Sequence, residues 1–117
     1  MSVVTKFGYL GDIKGTALNK GRARSWIEKN VGELASYGFT PNCRVDVVIG
    51  DHAIQITVNP EGKRKPTVRK GKMIFDICYP VEKRLAMFGD SPKLQVWIGR
   101  GVIGIAAANI PATLGDL

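Results

Sequence analysis

Histidine is almost absent from this chain. His52 is the single one, beside Asp51 in the segment Gly50–Ala53, which reads as a turn. A Ser-His-Asp arrangement would have to recruit its base from that turn. One histidine, two distant cysteines and scattered acids make no recognisable metal-ligand set. No close pair of carboxylates offers acid–base chemistry. Lys14-Gly15 and Lys20-Gly21 lack the G-x-x-x-x-G-K-[ST] frame of a phosphate-binding loop. These absences predict a protein with no catalytic residue, no metal and no cofactor. The exception is metal-independent RNA cleavage by Lys and Arg, which leaves little trace in a sequence. Cys43 and Cys78 form no C-x-x-C and read as two buried thiols of a cytosolic protein, with a disulfide between them left open. No apolar run approaches the roughly 18 residues that span a bilayer, and Met1–Lys6 has no apolar leader segment. The expected location is the cytoplasm, away from membranes.

Acid is also in short supply. Lys and Arg number 17 against 10 Asp and Glu, a net charge of +7 and a pI near 9.7. A surplus of that size attracts polyanions at long range, and nucleic acid is the polyanion it points to; a solubility surplus is the plain alternative. At 117 residues, 44% hydrophobic and 23% charged, the chain has globular composition and the length of one domain.

What is present is a repeat. Leu34-Ala35-Ser36-Tyr37-Gly38-Phe39-Thr40-Pro41 aligns with Leu85-Ala86-Met87-Phe88-Gly89-Asp90-Ser91-Pro92, and both read L-A-x-aromatic-G-x-[TS]-P. Val45–Gly50 and Ile54–Ile56 then match Val96–Gly99 and Ile103–Ile105 as alternating strands. Gly50 and Gly99 align after an even deletion, which keeps the strand faces in phase. Gly38 and Gly89 suit helix C-termini, and the following prolines cannot continue a helix. Each copy thus predicts the end of a helix, a glycine stop and a hairpin.

Upstream, Met73–Tyr79 reads as a strand, and Pro80 opens a helix with Val81, Leu85 and Phe88 on one stripe. In the first copy the strand is placed at Val3–Tyr9, followed by a loop over Gly11–Gly21. A helix is placed at Arg22–Tyr37 with Ile27, Val31 and Leu34 on its stripe. Phe7, Tyr9, Phe75 and Tyr79 read as core. The predicted organisation is a single domain: first repeat 1–60, basic linker 61–72, second repeat 73–108, tail 109–117. In the linker, Lys63, Arg64, Lys65, Arg69, Lys70 and Lys72 are basic and no residue from Lys63 to Lys72 is acidic, so it is expected to be extended and solvated.

Pro80-Val81-Glu82-Lys83-Arg84-Leu85-Ala86-Met87-Phe88-Gly89, between a strand and a hairpin, resembles the SpoVT/AbrB-type swapped-hairpin superfamily with its P-x-E-x-R-x-x-L-G pattern. Leu34–Pro41 looks closer to the SymE-like branch, and MazE-like antitoxins share the superfamily. The resemblance spans residues 22–59 and 72–107. It implies a β-rich α+β fold in which two strand-helix-hairpin repeats make an AbrB-like pseudo-dimeric barrel within one chain. It also implies DNA-binding regulators and antitoxins, with basic residues on phosphates. The Gly11–Gly21 insertion and the unequal halves depart from the pattern and weaken the case for symmetric operator recognition.

The candidate phosphate contacts are therefore Lys63, Arg64, Lys65, Arg69, Lys70 and Lys72 in the linker, whose alternative is a solvated connector. Lys14, Lys20, Arg22 and Arg24 form a second cluster before a predicted helix N-terminus, or a plain surface loop. Lys83 and Arg84 occupy the position of the family's basic helix. Trp97 aligns with Asp46 and is expected on the outer side of a strand, to stack on a base, anchor a partner or pack internally. The leading expectation is a small prokaryotic or phage transcriptional regulator that binds DNA, more than RNA. Its alternatives are an antitoxin or phage-type inhibitor acting through a protein partner, aided by Ile110 and Leu114, and a SymE-like RNA-targeting toxin. A homodimer is a further expectation.

Overall fold

The computed structural model describes residues 8–13, 15–19, 21–89 and 94–107. In chain order the described residues form β1 (Gly8–Asp12), β2 (Gly15–Asn19), β3 (Arg22–Asn30), α1 (Val31–Ala35), β4 (Val45–Ile49) and β5 (Ala53–Val58). Then come β6 (Thr67–Arg69), β7 (Lys72–Pro80), α2 (Val81–Phe88), β8 (Leu94–Gly99) and β9 (Val102–Ala107). Every strand pair is antiparallel. One sheet runs β1-β8-β9-β5-β4 and the other β2-β3-β7-β6. The fold is a compact, strand-rich α+β arrangement of two antiparallel sheets.

Alternation builds it. In β7, Met73, Phe75, Ile77 and Tyr79 are buried, while the residues between them face outward. They join Ile27 of β3 and Ile54, Ile56, Val96, Ile103 and Ile105 of the other sheet in one apolar cluster, so burying one sheet's inner face buries the other's. Phe39 packs edge-on against Phe75, centroids 5.8 Å apart. The hydroxyls of Ser25 and Tyr79 hydrogen-bond at 2.8 Å inside the core, so neither is stranded without a partner.

The order strand, helix, hairpin occurs twice, as β3-α1-β4-β5 and β7-α2-β8-β9. Equivalent strands meet each other. β3 and β7 pair along nine residues with Trp26 opposite Asp76 at the middle, and β5 pairs β9 with Gln55 opposite Gly104. An approximate two-fold axis between equivalent strands produces this pairing.

Several expectations are corrected. Arg22–Tyr37 is a strand and then a five-residue helix. Ala23, Ser25 and Ile27 are the strand's buried residues. The small side chains of Ala23 and Ser25 hid the two-residue period, and pairing along all of β7 outweighed the helical spacing. The Gly11–Gly21 loop is largely the β1–β2 segment. α2 starts where expected, but Leu85 is 54% exposed while Met87 and Phe88 are buried. Part of the linker is β6, joined to β7 through Lys70 and Gly71, which have φ of 53° and 76°. This is the geometry of a two-residue turn matched to strand twist. Cys43 is half-buried and Cys78 exposed, both free, which replaces the expected pair of buried thiols. The sheets do not close into a barrel among the described residues: β1 and β4 are edges of one, β2 and β6 of the other. The expected strand at Val3–Tyr9, apart from its end, and the tail with Ile110 and Leu114 lie outside the described residues, as does Phe7.

Candidate nucleic-acid interface

The basic connection is anchored to an edge strand. The Asn59 N–H donates to the Arg44 carbonyl at 2.8 Å, and Val45 and Arg64 exchange backbone bonds at 2.9 and 3.3 Å. Asn59 Nδ2 donates to Asp46 Oδ2 at 2.6 Å, and Arg44 Nη1 to the Gly62 carbonyl at 3.2 Å. Glycine is required at 62 because a Cβ there would lie 2.6 Å from the Val45 carbonyl oxygen. Lys63, Arg64 and Lys65 are thus displayed, all exposed, from a fixed backbone.

The second contribution comes from the outer face of the four-stranded sheet. Strand parity puts Arg22, Arg24, Trp26 and Glu28 of β3 on that face with Lys72, Ile74, Asp76 and Cys78 of β7, Thr67 and Arg69 of β6 and Ala17 of β2. Arg24 forms a two-pronged ion pair with Asp76, one bond at 3.2 Å from Nε to Oδ1. Its guanidinium also sits 5.3 Å from the centroid of the Trp26 ring. The hydrogen bond to Asp76, and then its charge, hold the Arg24 pKa above its ordinary value. Arg22 Nε donates to Cys78 Sγ at 3.4 Å. Lys70, in the adjoining turn, is exposed.

The other expected residues fare differently. Lys14 and Lys20 lie outside the described residues. Lys83 is exposed on α2. Arg84 is 8% exposed and stacks over Phe88, 5.6 Å from the ring centroid. It is a packing residue, contrary to its expected place among phosphate contacts, because the helix turns position 84 inward together with Met87 and Phe88. Trp97 lies on the outer side of β8 as expected, but it is half-buried against Ala53 and Ala106. Gly104, directly across the strand pair, leaves room for it. Trp26 was missed as a site residue because the helical reading of 22–37 put it beside an apolar stripe. The alternation Arg22, Arg24, Trp26 carried the signal.

No group of three His, Cys, Asp or Glu among the described residues is placed to hold a metal ion. Burial pushes the Cys43 thiol up, away from the reactive thiolate. A groove of about 100 Å³ runs between the sheets, lined by Val45, Val47, Arg64, Lys65, Thr67 and residues 74–77. It is smaller than the roughly 300–1,000 Å³ of small-molecule sites. No described helix is long and apolar enough to cross a membrane.

No protein-family model, curated protein or solved structure matches the chain.

Proposed function

We propose that the chain is a nucleic-acid-binding module, a small regulator that contacts its target through the outer face of the four-stranded sheet and the neighbouring Lys63–Lys65 connection. The observation that carries this reading is the convergence of Arg22, Arg24, Trp26, Arg69 and Lys72 on one sheet face. Cations there meet phosphates, and a flat aromatic beside them suits an unstacked base. Asp76 already engages Arg24, so a phosphate competes with that carboxylate for it and finds Arg22, Arg69 and Lys72 less committed.

The twice-repeated strand-helix-hairpin order, with equivalent strands paired, supports an AbrB-like pseudo-dimer opened at one corner. In this reading the β4–β5 and β8–β9 hairpins are the exchanged elements.

The test is binding of duplex DNA, single-stranded DNA and RNA at two salt concentrations. Affinity is expected to fall steeply with salt. Arg64→Gln and Lys65→Gln should each lower the slope of log affinity against log salt by about one. Trp26→Ala should cost about 1–3 kcal/mol on single strands and little on duplex. Equal, salt-independent indifference to all three nucleic acids overturns the proposal.

A further inference from the structure

The two-fold arrangement is finished at one corner of the molecule and unfinished at the other. β3 has neighbours on both sides, β7 along its whole length and β2 against Arg22–Trp26. β8 is likewise flanked by β9 and β1. Their equivalents are not. On the edge of β7 away from β3, β6 reaches only Lys72, Met73 and Ile74. On the edge of β4 away from β5 there is only the bridge between Val45 and Arg64. Among the described residues no strand follows β7 from Phe75 to Pro80 or β4 from Val47 to Ile49. Both bare edges border the same groove, where Val45 and Val47 stand opposite Phe75 and Ile77, with Arg64 and Lys65 beside them.

We propose that this corner between β4 and β7 docks an extended acidic segment of a partner protein, which adds as a strand to the Phe75–Tyr79 edge. Three features point to that occupant. An unpaired strand edge is a row of backbone donors and acceptors that another strand satisfies. The equivalent edges show that strands fit there, since β1 and β2 of this chain occupy them at the opposite corner. The groove's lining includes Val45, Val47, Phe75 and Ile77 together with two exposed cations, Arg64 and Lys65, while its one carboxylate, Asp76, is engaged by Arg24. Alternating apolar and acidic side chains match those apolar residues and those cations. The groove has room for little more than one large side chain, so most of the recognition falls to main-chain pairing. The inference shares Arg64 and Lys65 with the proposed nucleic-acid surface but differs from it in using the strand edge, which main-chain pairing alone reads.

The probe is a short blocked peptide alternating valine and glutamate, added to the full chain. Binding is read by anisotropy and by amide hydrogen exchange. The expected result is slowed exchange confined to 75–79 and 47–49, and binding about tenfold weaker in the Arg64→Glu, Lys65→Glu double variant. Both positions are exposed, and an unchanged melting curve shows that the double variant is folded. The same peptide N-methylated at alternate residues keeps its charge but cannot pair as a strand, and it is expected not to bind. Equal binding of the N-methylated peptide, or protection elsewhere, overturns the proposal. Protection of these amides that grows with protein concentration alone would assign the corner to a second copy. Protection by a single-stranded oligonucleotide would assign it to nucleic acid. Either result overturns the proposal too.

Discussion

Tyr79 shows how much one buried phenol governs. Burial pushes its pKa up, with the Ser25 hydrogen bond and the nearby Arg84 charge acting against that shift. The folded chain therefore holds this proton more tightly than the unfolded chain does. The stability it contributes is fully present below about pH 10 and is lost as pH rises through the higher folded value. Denaturant midpoints measured across alkaline pH should fall beyond about pH 10. Tyr79→Phe should flatten that fall while costing about 1–3 kcal/mol at neutral pH, because the Ser25 hydroxyl loses its partner. A phenylalanine variant with the parent's alkaline slope would place the titrating group elsewhere. That Tyr79 belongs to the core was legible from its spacing with Phe75. Arg84 was not legible in the same way, since a charged residue on a short helix reads as surface until the packing of Met87 and Phe88 shows which side faces in.

At the scale of elements, both hairpins, the β7 strand and the start of α2 could be read from alternation, glycine and proline. β3 could not. Ala23 and Ser25 carry too little apolar signal to mark a strand, and only the pairing with β7 settles its conformation. The sheet-face part of the candidate site depended on β3, so Arg22 and Arg24 were assigned to a loop before a helix and Trp26 to that helix's side. The Asn59–Arg64 segment is the other element that sequence alone under-read. Gly62 lets it press against β4, and Gly62→Ala forces a methyl into the Val45 carbonyl. The expected cost is about 1–3 kcal/mol, seen as a lower Tm, together with weaker polyanion binding as the Lys63–Lys65 display loosens. A variant that melts like the parent would show that the segment moves aside freely.

The whole molecule is tied together between its halves as well as within them. β3 pairs with β7 and β5 with β9, and the apolar cluster draws on both repeats. Residues 1–60 and 61–117 made as separate pieces should each lack cooperative unfolding in a thermal melt, and mixing them should restore a single transition. Independent folding of either piece would contradict a shared core. The β6–β7 turn bears on the same balance of forces. Lys70 takes a left-handed backbone that asparagine adopts with less strain. Lys70→Asn should therefore raise Tm modestly, by about 0.5–1 kcal/mol of stability, and, under the proposed function, weaken polyanion binding at the same time. On that proposal firmness and grip trade against each other at this one position, where an ammonium group stands in place of a more comfortable residue that would make a sturdier but less adhesive protein.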